Sequence, residues 1–100
     1  MKFINVVKVQ VKDSSKDIYL KKIGEFFTKM SSTEGLISFK LVEIGKNHYC
    51  SIGEWENESA IGAARPKMVD FLNTIRPMLD EMSPELGVTD PASGPLILST

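Results

Sequence analysis

Residues 36–55 read LISFKLVEIGKNHYCSIGEW, two runs of alternating character joined at Gly45-Lys46-Asn47. In Leu36–Ile44, Ile37, Phe39 and Leu41 alternate with Ser38, Lys40 and Glu43, the period-two pattern of a half-buried strand. His48–Trp55 is a second such run. The tight Gly- and Asn-containing connection between them predicts an antiparallel hairpin. Directly after Trp55 the chain turns polar and then small and helical (ENESAIGAAR), with Asn57 placed to cap a helix over Glu58–Ala64.

Working outward, Phe3–Val11 is rich in β-branched residues, and its first half is apolar on both sides, as in a strand covered twice. Lys12-Asp13-Ser14-Ser15 is a turn cluster, and Ser14, Ser15 or Asp17 could cap a helix beginning there. Tyr19, Ile23, Phe26, Phe27 and Met30 fall at helical spacing with lysines on the outer side. Beyond Ala64, Pro66 is expected to break or restart the helix. Met68, Leu72, Ile75, Leu79 and Met82 resume the helical period, and Pro77 should kink or end it near Ile75. The stretch 83–100 carries Pro84, Pro91 and Pro95, and Pro95-Leu96-Ile97-Leu98 could form a short final strand. The order strand, helix, strand, strand, helix, strand predicts an α+β, ferredoxin-like βαββαβ fold, an antiparallel sheet with both helices on one face. It reads as one domain over 1–100, with a core at 3–82 and a Pro/Gly-rich tail at 83–100. The other sheet face is expected to carry Phe3 or Ile4, Leu36, Val42, Tyr49 and Trp55. That much apolar surface calls for a partner, most simply a second copy packed sheet to sheet.

Composition narrows the function. Of 100 residues, 42% are apolar and 25% charged, which argues against disorder. Twelve Lys+Arg against 13 Asp+Glu leave a net charge of −1. The densest basic cluster (Lys16, Lys21, Lys22) sits among acids on a helix, so no nucleic-acid partner is expected. No apolar run reaches the ~18–20 residues of a membrane span, and Asn5, Lys8 and Gln10 interrupt the N-terminal run too early for a secretory leader. A lone Cys50 forms no internal disulfide, which fits the cytoplasm.

No nucleotide, thiol-redox or zinc motif is present. One His and one Cys cannot build a His/Cys metal site, so no metal or cofactor is expected. His48 lies beside the hairpin turn, where it reads as an exposed side chain. Glu54, Glu56 and Glu58 point in different directions and read as a solvated rim. Asn5 stands in the most apolar strand where a hydrophobe would be expected, so its amide must find partners at an edge, in the backbone or in a pocket. Ser38, Ser51 and Gly53 are small where sheets usually carry bulk and could leave space bordered by Trp55, with Arg65 ten residues further on. An aromatic wall, an amide and a guanidinium suit a flat, partly polar, anionic ligand. The competing reading has Trp55 plugging the core and Arg65 pairing with a surface acid.

The strands FINVVKVQVK and EGLISFKL and the junction HYCSIGEWENESA resemble, in order and spacing, the antibiotic biosynthesis monooxygenase family over roughly Phe3 to Leu79. The stretch ELGVTDPASGPLIL is similar to the ending of some of its members. The resemblance implies a dimeric α/β barrel of two ferredoxin-like protomers, with the C-terminal segment often reaching the neighbour. It also implies oxidation of a small phenol or hydroquinone by O₂ without metal, flavin or other cofactor. On that pattern Asn5, Trp55 and Arg65 would be catalytic, and Tyr49, His48 and Ser51 would bind substrate, His48 or Tyr49 serving as base. The haem-degrading branch of the family has a His where this chain has Arg65. Haem chemistry is therefore a weaker alternative than a non-catalytic binding or assembly dimer on the same scaffold.

Overall fold

In a computed structural model of residues 1–100, the first strand, β1 (Phe3–Val11), is the spine of the sheet. Its apolar character on both sides follows from that place. On one side it pairs antiparallel with β3 (His48–Trp55), from Phe3 opposite Trp55 to Gln10 opposite His48. On the other it pairs with β4 (Leu79–Asp80) at its end and with β5 (Asp90–Pro95) along Phe3–Lys8. β2 (Leu36–Gly45) forms the opposite edge through its hairpin with β3. The helices are α1 (Lys16–Met30) and α2 (Glu58–Ile75). They pack on the sheet to give the expected ferredoxin-like α+β fold.

Local chemistry accounts for the junctions. The hairpin turns at Lys46-Asn47, where Asn47 takes φ 56°, a left-handed conformation that asparagine tolerates better than most residues. Its side chain is buried yet partnered: Nδ2 donates to Asp13 Oδ1 at 3.0 Å. Its backbone oxygen accepts from the Val11 amide at 2.8 Å. These bonds tie the hairpin tip to the chain that leaves β1.

Asn57 caps α2 as its position predicted, accepting from the Ala60 amide at 2.9 Å. The expected side-chain cap of α1 is absent. A 3₁₀ turn over Asp13–Ser15 leads into that helix instead, with the Ser15 amide bonded to the Lys12 carbonyl. Pro66 does not break α2, contrary to the sequence expectation, because the helix runs through it. The bond lost is the one a residue at 66 would donate to the Gly62 carbonyl, and apolar residues on both sides of the proline pack the helix down. Pro77 does coincide with the end, in a 3₁₀ turn after Ile75. The last strand lies at Asp90–Pro95, ahead of the Pro95–Leu98 stretch that sequence favoured; beyond it only the Leu96 amide is tied back, to Lys2.

Two buried clusters hold the helices to one face. Val9, Val11, Tyr19, Ile23, Tyr49, Ile75 and Leu79 form the larger. Met30, Trp55, Ile61 and Ala64 form the other, with Phe3, Leu36 and Phe39 against it. This corrects the expected exposed face. Phe3, Leu36, Tyr49 and Trp55 turn toward the helices, because Ser51 and Gly53, on the same side of β3, leave the helix face room for large neighbours. The uncovered face keeps Ile4 and Val42 and adds Val6, Cys50 and Ile52, the alternate positions of the paired strands. It is mixed, because Lys8, Gln10, Lys40 and Glu54 occupy the other alternate positions. No helix is long and apolar enough to cross a membrane.

Candidate functional site

Between the helices and the sheet lies a cavity of about 460 Å³, within the ~300–1,000 Å³ usual for small-molecule sites. The sheet supplies its floor through Asn5, Val7, Val9, Phe39 and Ser51. α1 contributes Tyr19, Ile23, Phe26 and Phe27, and α2 contributes Met68, Phe71, Leu72 and Ile75. Exposed lining residues mark its mouth: Arg65 and Val69 on α2, Pro91, Ala92 and Ser93 on β5. The helix-period residues of α1 are thus shared between core and cavity wall.

The aromatic wall is built from phenylalanines. Phe26 stacks on Phe71 with centroids 4.2 Å apart and planes 9° from parallel. Phe27 stacks on Phe39 at 5.0 Å and 14°. Such rings offer flat, apolar contact at low entropic cost. Trp55 does not line the cavity, which corrects its expected role as a stacking face. It is 0% exposed, packed behind Phe39 edge-on at 5.7 Å and 87°. The core-plug alternative describes its ring.

Its indole nevertheless reaches the site. Nε1 donates to Asn5 Oδ1 at 2.8 Å, which answers the question of where an amide in an apolar strand finds a partner. The bond passes over Gly53, the register partner of Asn5. A Cβ at Gly53 would meet Asn5 Oδ1, Phe39 Cε1 at 2.7 Å and Trp55 Nε1 at 2.9 Å. Only glycine leaves room for all three.

Of the other predicted site residues, Ser51 and Arg65 share the cavity with Asn5. The Ser51 hydroxyl is 3.5 Å from the Val7 carbonyl. Arg65 joins neither ion pair of the protein, Lys2–Glu54 or Lys16–Glu43, so its charge is unpaired at the mouth. That removes the surface-pairing alternative. His48 and Tyr49 are not among the lining residues, and neither is placed to act as base there. Ser38 lies apart, against Glu54 near the bulge at the start of β2.

Sequence reasoning missed Tyr19, Phe26, Phe71 and Ser93 as site residues. The helical period marked the first two as inward-facing, but only the fold shows that part of the interior is hollow. Tyr19 is the one other titratable group on the wall. Burial, and then the neighbouring Tyr49, push its phenol well above the ordinary tyrosine range. It stays protonated at neutral pH.

The architecture has close counterparts among solved structures. A mutant of SnoaB, a cofactor-independent oxygenase from Streptomyces nogalater, aligns over 98% of this chain and 95% of its own with a TM-score of 0.79 at 12% identity. A putative antibiotic biosynthesis monooxygenase from Deinococcus radiodurans aligns over the same shares at 0.81 and 8% identity. The fold is that of the antibiotic biosynthesis monooxygenases. A conserved protein from Methanosarcina mazei Go1 shares it as well, at 0.80 and 16% identity over 95% of this chain and 92% of its own. At sequence level no family model and no curated protein matches the chain. The likeness is therefore one of architecture, and architecture alone does not assign a reaction.

Proposed function

We propose that this protein is a cofactor-independent monooxygenase or quinol oxidase that acts on a small phenol or hydroquinone with O₂. The observation that carries the reading is the cavity itself: an aromatic-walled space with an amide, an unpaired guanidinium and a few hydroxyls as its polar features. The substrate ring would lie among the phenylalanines. Asn5 would donate to a ring oxygen, and Arg65 would favour its anion. In monooxygenation, the anion passes one electron to O₂, and the radical pair joins to form a carbon–oxygen bond. The resulting peroxide loses water, leaving one oxygen atom in the quinone. The protein's contribution is to orient the ring, favour the charged form and keep water away.

No base lines the cavity, because Tyr19 is held protonated and Arg65 is a cation. The substrate proton would leave to solvent, and turnover would rise with pH as the substrate ionises. The same observation favours a second reading, a non-catalytic dimer that binds such molecules. Haem fits poorly, since the cavity offers neither imidazole nor thiolate.

The Ile4, Val6, Val42 and Ile52 cluster on the uncovered face supports a homodimer packed sheet to sheet in the manner of a dimeric α/β barrel, and a lone cysteine supports the cytoplasm. The deciding experiment is aerobic incubation with a panel of phenols and hydroquinones, following O₂ uptake and quinone absorbance. Turnover above buffer that falls at least about tenfold in Asn5→Ala and Arg65→Ala is expected. Rates equal to buffer throughout, with ligand still raising the melting temperature, would hand the site to the binding reading. Sedimentation as a single protomer at micromolar concentration would overturn the dimer.

A further inference from the structure

We infer that Trp55 is a positioning residue that sets the hydrogen-bonding sense of the cavity, turning Asn5 into a donor and making the site selective for ligands that present an oxyanion or carbonyl oxygen. The inference rests on the cavity being a ligand site, as proposed above, and not on turnover. An asparagine amide carries one acceptor oxygen and one donor nitrogen, and a free side chain could present either by rotation. An indole N–H only donates. By donating to Asn5 Oδ1 at 2.8 Å, Trp55 occupies one lone pair of the acceptor and turns that oxygen toward the indole, fixing the rotamer. Asn5 Nδ2 makes no hydrogen bond inside the protein, while Asn5 lines the cavity. The group left for a ligand is therefore N–H.

The second strong polar feature, Arg65, can also only donate. The hydroxyls of Tyr19, Ser51 and Ser93 can turn to donate or accept, so the fixed polarity of the site comes from Asn5 and Arg65. A site biased this way rejects ammonium groups and welcomes phenolate, enolate or quinone oxygens, because an unmatched buried donor costs more than a matched one gains. Full burial of Trp55 and its edge-on packing with Phe39 keep the indole from swinging away, and the absence of a Cβ at Gly53 lets it reach Asn5. Neither feature is needed merely to fill space, since a phenylalanine at 55 could plug the same core.

The test uses para-nitrophenol, whose absorbance reports its ionisation, beside the neutral para-nitroanisole, with the full-length protein. Wild type should bind the phenolate more tightly than the anisole and lower the apparent pKa of the bound phenol. Trp55→Phe keeps a ring and removes the N–H, freeing the amide to rotate. It should weaken phenolate binding about tenfold and leave anisole binding within twofold. Asn5→Asp can still accept from the Trp55 indole but replaces the free N–H with a carboxylate oxygen. It should reverse the preference, with the anisole bound more tightly than the phenolate, and it keeps the test informative should Trp55→Phe fail to fold. Equal losses for both probes in Trp55→Phe, unchanged phenolate binding in either variant, or a wild type that prefers the anisole would each overturn the inference. Anion preference with no quinol turnover would retain it and sink only the oxygenase reading.

Discussion

At one end of the β1–β3 pair, Trp55 lies opposite Phe3, and its N–H is satisfied by an amide two register positions away. At the other end, Tyr49 lies opposite Val9 and packs on Tyr19 with centroids 5.3 Å apart. Yet its hydroxyl is buried without a hydrogen-bond partner, and so is His48 Nε2. Both ends bury an aromatic ring with a polar handle. The first is organised around the handle, with a glycine kept bare to let it through. The second is organised around ring packing and leaves the handle idle. A buried polar atom without a partner costs ~1–3 kcal/mol, so the aromatic handle at the Tyr49 end carries a cost that the Trp55 handle does not.

Three substitutions probe that contrast. The largest effect is expected from Trp55→Ala, which empties the smaller cluster and strands Asn5 Oδ1. Urea unfolding should show a loss of about 3–5 kcal/mol, and a loss below about 1 kcal/mol would mean the indole is not the support of this end. Next comes Gly53→Ala. Its Cβ would collide with Asn5, Phe39 and Trp55, so a loss of about 1–3 kcal/mol is expected by the same measurement. Full stability would show that the three side chains have slack.

The smallest effect belongs to the other end. Tyr49→Phe removes a buried hydroxyl that makes no well-formed hydrogen bond and has the facing Glu43 carboxylate as a polar neighbour, so stability at pH 7 should stay level or rise by up to about 1 kcal/mol. Its pH dependence separates the two further. Burial, then the facing Glu43 and Asp17, raise the Tyr49 phenol above its ordinary value of 10.0, and Tyr19 is raised too. The folded state thus holds these protons more tightly than the unfolded chain does. Stability is complete below pH 10 and is lost as pH climbs past it. In alkaline unfolding, Tyr49→Phe should decline less steeply than wild type, and identical curves would show that Tyr49 makes no contribution there.

Alternation and helical period made the hairpin, the two helices and their order legible in the sequence, as did the Asn57 cap. Period two states that Tyr49, Ser51, Gly53 and Trp55 share a side. It does not state which side the helices cover, and that is where the exposed-face expectation went astray. The site was half legible. Asn5, Ser51, Gly53 and Arg65 stood out because each departs from what its element normally carries. Phe26, Phe71 and Ser93 did not, because a phenylalanine on an inward helix face looks the same beside a void as in solid packing. Ser93 joins through β5, whose Pro- and Gly-containing sequence gives almost no strand signal.

The helix that runs through Pro66 has a consequence at the cavity mouth. The residue before a proline favours extended backbone over the α conformation, and in this chain that residue is Arg65, held helical. The one unpaired cation of the site therefore stands where local preference and global fold disagree. Most of a well-behaved sequence keeps those two levels in accord, and natural chains concentrate the exceptions where they act. An arginine so placed owes its helical backbone to the burial of Ile61 and Ala64 before it, not to its own preference.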